Sequence, residues 1–120
     1  MKRKEILAFI SAFLFSLIFT AYYPSFRDGV NWYVQRELCR AAYKGNVGEM
    51  KLLIHLGANP GGWNTSYEPI IFGSRGGQTE AVRFLLHEGV SVNSLDRNRW
   101  SPLMVAVNTK NVELVRLLLS

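Results

Sequence analysis

Apolar residues fall along this chain in two patterns. From Ile6 to Tyr23 they run for 18 residues with no charged side chain among them. Beyond Trp32 they recur at helical spacing and are broken by short polar turns. The clearest stretch is Ser101–Leu119. Ser101 is placed to cap a helix, and Pro102 stands at its first position, where the missing N–H costs nothing. Leu103, Val105, Ala106 and Val107 supply an apolar body, and Lys110-Asn111 interrupts it. Val112, Leu114, Val115, Leu117, Leu118 and Leu119 then follow, with Glu113 and Arg116 between them. The spacing predicts two short helices joined by a tight turn.

The same pattern occurs earlier. Glu68–Ser74 aligns with Ser101–Val107, and Glu80–Leu86 aligns with Glu113–Leu119. A third copy runs from Leu38 to Asn46 and continues at Met50–Ile54. Pro69 and Pro102 stand 33 positions apart, and Gly57 and Gly89 stand 32 apart. A helix–turn–helix plus loop at a fixed period of this size is the signature of a stacked array.

At these residues the chain resembles the ankyrin repeat family. Pro69-Ile70 and Pro102-Leu103 match the helix-opening Pro-Leu, and Ala41-Ala42 match the paired small residues. Gly45-Asn46 and Gly77-Gln78 match the turn between helices. Gly57-Ala58-Asn59 and Gly89-Val90-Ser91-Val92-Asn93 match the repeat-closing segment. The resemblance covers about Arg36 to Ser120 and implies an all-α, ankyrin-type α-solenoid. Its repeats fall at about 32–62, 63–95 and an incomplete 96–120. Several positions depart from the family pattern. Cys39, Ile71 and Met104 stand where a His is usual, and Ser66 and Arg99 replace a loop Gly. Lys110 occupies the place of a turn Gly, where a left-handed backbone costs on the order of 1 kcal/mol.

The resemblance also implies where a partner binds. In this family the inter-repeat loops project as fingers, and the fingers and inner helices line a concave face. By repeat position that face carries Asn64, Thr65, Tyr67 and Arg75, then Arg97, Asn98, Trp100, Asn108 and Thr109. Arg, Trp, Tyr and Asn together have the composition of a protein-binding hot spot. Trp100 and Tyr67 are equally consistent with packing of loop against loop.

Charge and cysteine content narrow the picture further. The chain has 120 residues, which is room for one small domain beside the apolar segment. The net charge is +5, but Lys2, Arg3 and Lys4 supply much of it. The remaining basic residues are too scattered to argue for nucleic acid. The single Cys39 excludes an intrachain disulfide framework. His55 and His87 end equivalent helices 8–10 Å apart and do not share a metal ion at that distance. Gly73-Ser74-Arg75-Gly76-Gly77 lacks the Lys-Ser/Thr ending and the preceding strand of a phosphate loop. Asn64-Thr65-Ser66 fits a glycosylation triplet, which matters only in a eukaryotic secretory host. No acid/base pair, nucleophile set, metal cluster or cofactor motif is legible, so the reading is non-catalytic, with no small-molecule substrate.

Residues 1–5 form a basic head, and 6–23 are expected to form a transmembrane signal anchor. As a helix that run spans about 27 Å, close to a hydrocarbon core of roughly 30 Å. Tyr22 and Tyr23 belong at the interface. Phe19 sits poorly at position −3 of a cut after Ala21, which favours an uncleaved anchor over a cleaved signal peptide and secretion. The positive-inside rule keeps Lys2-Arg3-Lys4 cytoplasmic and puts the repeats outside, in the periplasm if the source is bacterial. Residues 24–31 are expected as a connector with a turn at Asp28-Gly29-Val30-Asn31. Trp32, Tyr33, Val34 and Leu38 are then expected to cover the first face of the stack, the alternative being that this aromatic cluster faces lipid headgroups beside the anchor. At the other end, Leu117, Leu118 and Leu119 are expected to face a fourth repeat. Without it, the chain is a fragment or docks that end on another molecule, including a second copy of itself. The leading expectation is a membrane-anchored module that binds a protein partner. The alternative is a structural module that homo-oligomerises or caps a membrane complex.

Overall fold

The computed structural model describes residues 2–22 and 24–120, without the side chains at positions 20 and 24–27. Every regular element among the described residues is an α-helix: α1 (Arg3–Tyr22), α2 (Pro24–Lys44), α3 (Val47–His55), α4 (Pro69–Arg75), α5 (Thr79–His87), α6 (Pro102–Asn108) and α7 (Val112–Leu119). They fall into two compact units, Met1–Trp32 and Tyr33–Ser120, and the boundary lies within α2.

In the second unit, three helix pairs repeat at the expected period. Their ends are set by local chemistry. Asn46, Ser101 and Asn111 cap α3, α6 and α7, each side-chain oxygen accepting from an N–H one turn on, at 3.0, 3.2 and 3.1 Å. Gly45, Gly77 and Lys110 hold the same left-handed turn, at φ 75°, 67° and 56°. Lys110 therefore carries the strain that its place in the repeat implies. Arg99 is left-handed too, at φ 62°, and it also stands where the family has Gly.

Stacking depends on small residues. Ala41, Gly73 and Ala106 occupy one repeat position and are all buried. A Cβ on Gly73 would lie 3.3 Å from Val82. At Gly76 the approach is tighter: a Cβ there would come within 2.1 Å of the Tyr43 carbonyl oxygen. The core formed by this approach holds Leu38, Met50, Ile70, Val82, Leu85, Val105 and Leu114, and each of the three helix pairs contributes to it. Ile71 and Cys39 are buried at the family's His position, but Met104 is 48% exposed.

Four expectations change. The turn at Asp28-Gly29-Val30-Asn31 is absent, because α2 runs without a break from Pro24. A proline at the first helical position starts a helix without loss, and one interior Gly costs only about 1 kcal/mol. Coverage of the first repeat rests on Leu38, Val34 and Gln35, whereas Tyr33 stays half-exposed. Leu118 packs into the core, and of the three terminal leucines it is Leu119 that is exposed, at 68%. Successive residues on a helix diverge by about 100°, so the three cannot share one face.

The fourth concerns the anchor. Among the described residues no helix is long and apolar enough to cross a membrane. The span expected over 6–23 is thus not supported by the structure. The first turn of α1 is taken by Arg3, Lys4 and Glu5, and Tyr23 lies outside the described residues, as does the side chain of Arg27. α1 itself is apolar all round: Leu7, Phe9, Phe13, Phe15 and Ile18 are each more than half exposed.

Two substitutions test this account by urea unfolding. Gly76→Ala has ordinary helical dihedrals at that position (φ −76°), so it tests the close approach alone. It should destabilise the array by about 1–3 kcal/mol. Lys110→Gly should stabilise it by about 1 kcal/mol, because it relieves the left-handed turn.

Candidate functional site

The face expected to take a partner comprises two finger loops and the inner helices α2, α4 and α6. In the first finger, the Asn59 amide donates to Gln35 Oε1 at 2.8 Å, and Gln35 Nε2 donates back to the Asn59 carbonyl at 3.0 Å. This part-buried pair of bonds fastens the base of the finger to α2. Farther out, Asn64 Oδ1 accepts from the Ser66 amide at 2.8 Å and shapes the tip.

The second finger is organised by Asp96, which is 7% exposed. Its Oδ1 accepts from the amides of Asn98 and Trp100 at 2.8 and 2.9 Å. Its Oδ2 accepts from Arg75 Nη2 at 2.5 Å, which ties the finger to α4. The two fingers are also joined directly. The Arg97 amide donates to the Thr65 carbonyl at 2.9 Å, and its guanidinium donates to the Ser66 hydroxyl oxygen.

These bonds frame a cleft of about 330 Å³ lined by Thr65, Tyr67, Glu68, Arg75, Arg97 and Asn98, among others. Five of the nine residues expected on the concave face therefore meet at one place. Trp100 and Asn108 line a separate apolar groove with Leu103, Met104 and Val107. Trp100 also packs against the core. Asn64 is exposed at the finger tip, away from the cleft lining. The Thr109 hydroxyl donates to the Val105 carbonyl at 3.0 Å and closes its own helix.

Asp96, Gln35 and Glu68 were not singled out from sequence. Asp96 carried a usable signal, since an Asp two residues before an Asn in a loop is an Asx-turn former. Gln35 carried none. Glu68 takes the place that Ser101 holds in the next repeat, yet it makes no capping bond through its side chain. Its Oε2 is sealed from solvent without a hydrogen-bond partner, and burial raises its carboxyl above the usual value. Burial, and then the charge of Glu68, push the Cys39 thiol up to about 12, so that sulfur is an inert core atom. His55 and His87 are exposed at the ends of α3 and α5. Among the described residues no cluster of three or more His, Cys, Asp or Glu is placed to hold a metal ion.

A profile described as ankyrin repeats in three copies matches residues 38–120. The chain belongs to the ankyrin repeat family. Among curated proteins, the array is similar to ankyrin repeat, SAM and basic leucine zipper domain-containing protein 1. It is 54% identical to the protein of Oryctolagus cuniculus over 43 residues, which is 36% of this chain and 9% of that protein. Against Notamacropus eugenii the figures are the same. Against Echinops telfairi the identity is 50% over 44 residues, or 37% of this chain and 9% of the relative. The matched stretch therefore spans under a tenth of these relatives' length. The family is generally a non-enzymatic scaffold for protein–protein interaction.

The Glu68 carboxyl gives a pH test of this site. Burial raises its folded value above the ordinary carboxyl value of about 4.5. Its contribution is thus fully present below about pH 4.5 and is lost as the pH rises through the folded value. Glu68→Ser copies the Ser101 cap and removes the titration. Thermal unfolding should find it more stable than wild type at neutral pH, by about 1 kcal/mol from the cap alone. That advantage should narrow on acidification.

Proposed function

We propose that this ankyrin array binds a partner protein at its concave face, without covalent chemistry, and that α1 attaches it to a membrane. One observation carries the binding reading. Thr65, Tyr67, Arg75, Arg97 and Asn98 converge on a single cleft whose walls are cross-linked by hydrogen bonds. A rigid, preorganised cleft loses little conformational entropy when a partner docks.

The membrane part is supported by the ring of exposed apolar side chains on α1 and by the uncharged run of the sequence to Tyr23. Apolar surface on all sides of one helix has no counterpart in an amphipathic packing face. Lys2, Arg3 and Lys4 precede it. On the positive-inside rule the array then lies on the extracytoplasmic side, in the periplasm of a bacterial host. Release as a secreted form after signal cleavage is the other outcome.

A second reading rests on a different surface. Met104, Val107, Val112 and Leu119 leave apolar area exposed on the last helix pair. Burial of that area between two copies would make the chain an assembly module.

One set of cells expressing the chain separates these readings. A photo-cross-linking residue at Asn98 should capture a partner, and the same residue at His87, on the outer helix α5, should not. Capture of the chain itself, lost on Val112→Asp and kept on Thr65→Ala, favours the assembly reading. Equal yields at both positions sink the concave-face reading. Alkaline carbonate should leave the chain in the membrane pellet, and complete release into the supernatant overturns attachment through α1. For orientation, Asn98→Cys in a Cys39→Ser background should label in intact cells with an impermeant thiol reagent once any outer membrane is made permeable. Labelling only after lysis reverses that placement.

A further inference from the structure

The cleft between the fingers continues into a second depression. That neighbour, of about 360 Å³, is lined by Arg36, Cys39, Arg40, Tyr43, Tyr67 and Phe72. Tyr67 and Phe72 line both, so the two form one groove along the concave face. One half is an apolar hollow rimmed by arginines, and the other half mixes polar side chains with Ile71, Tyr67 and Phe72.

The charges in this groove are layered. Glu37, with a side chain 13% exposed, pairs with Arg36 at 3.1 Å and with Arg40 at 3.6 Å. Asp96, with a side chain 8% exposed, pairs with Arg75. The guanidinium side chains of Arg36, Arg40 and Arg75 are 46%, 63% and 43% exposed. The carboxylates thus sit behind and the guanidinium groups sit in front. A guanidinium carries five N–H donors in a planar fork, so pairing with one carboxylate does not exhaust the donors of Arg40 or Arg75. Arg97 adds a fourth cation on the exposed finger. Glu68 is the remaining acid in the lining, and its Oε2 is sealed from solvent. The other acids of this unit are on the outer pairs: Glu49, Glu80 and Glu113 stand in the first turns of α3, α5 and α7, and Glu88 follows α5.

From this layering we infer that the groove selects a partner segment in which acidic residues flank one bulky apolar residue. The apolar side chain fills the hollow between Cys39, Tyr43, Tyr67 and Phe72. The flanking carboxylates meet Arg40 on one side and Arg75 and Arg97 on the other. This rests on the concave-face reading above and adds the chemistry of the occupant. A bare polyanion such as RNA is the poorer match, because the groove alternates cations with an apolar hollow and keeps carboxylates close behind them.

The test is a phage-displayed library of random peptides selected on the full chain in mild detergent. Enrichment of peptides with one Phe, Leu or Trp between Asp or Glu residues is the expected result. A synthetic peptide of that consensus should lose about tenfold or more in affinity to Arg40→Glu, because a like charge then faces it. Arg116→Glu, on the outer helix α7, should change little. Arg40→Gln removes the charge without reversing it and should show an intermediate loss. Helicity by circular dichroism confirms that each variant is folded. Higher salt should weaken the wild-type complex.

Basic or neutral consensus peptides whose binding is lost on Tyr67→Ala overturn the acidic inference and leave the concave-face reading intact. Enriched peptides indifferent to Tyr67→Ala, Arg40→Gln and Arg97→Gln overturn both, as does an absence of enrichment. Displacement of the consensus peptide by single-stranded RNA at equal charge concentration overturns the peptide inference in favour of a general anion site.

Discussion

Everything in the array follows from how near one inner helix comes to the next. Gly76 stands against the Tyr43 carbonyl with no space for a Cβ, and Gly73 lies close to Val82 and Ala42. At that separation Ile70, Val82 and Leu85 reach across repeat boundaries and share one core. A single repeat cannot bury its apolar faces alone, so this approach lets helices of only 7–9 residues persist. It also sets the distance between fingers. Arg97 reaches the Thr65 carbonyl and the Ser66 hydroxyl only because the repeats beneath are packed this closely.

Above the core, buried acids orient exposed bases. Asp96 holds two amides of its own finger and one guanidinium of the neighbouring helix. Glu37 does a similar job for Arg36 and Arg40. Charge-assisted bonds of this kind are shorter and more directional than neutral ones, so they hold long side chains in place. Glu68 shows what happens when the acid has no partner. It fills a capping position, leaves one oxygen unsatisfied, and adds through its charge to the rise that burial gives the Cys39 thiol. Two carboxylates thus give shape to the groove, and a third is a local fault in it.

The helices were legible because their signals are local. Spacing of apolar residues, Ser101 before Pro102, and Asn after a turn residue each act within one turn of chain. The left-handed Lys110 was legible for the same reason, since a repeat position carries its backbone conformation with it. What sequence did not show was contact between distant segments. Gln35 meets Asn59 across 24 positions, and Arg75 meets Asp96 across 21. No periodicity marks such pairs. The start of α2 was misread for an opposite reason. Asp-Gly and Asn carry turn propensity, and that propensity was given more weight than the helix on either side of it. The concave face was mapped by repeat position, which places backbones well but does not say where side chains end. Thr109 and Asn64 spend their polar atoms on their own segments for that reason.

The departures from the family pattern are not spread evenly. Ile71 and Cys39 replace a polar residue with an apolar one and are buried, so the core absorbs them. Ser66 and Arg99 instead stand in the two fingers, next to the groove. Arg99 keeps its left-handed backbone because its amide donates to the Asp96 carbonyl at 2.9 Å and Asp96 is fixed on three sides. Strain of this kind persists only where the surroundings over-determine it. The surroundings here are the Asp96 network, which also positions Arg75 at the groove. One set of hydrogen bonds therefore both holds an unfavourable backbone and presents a cation to the groove. A glycine at position 99 would keep every one of these backbone bonds, so it would relieve the strain and leave Arg75 where Asp96 holds it.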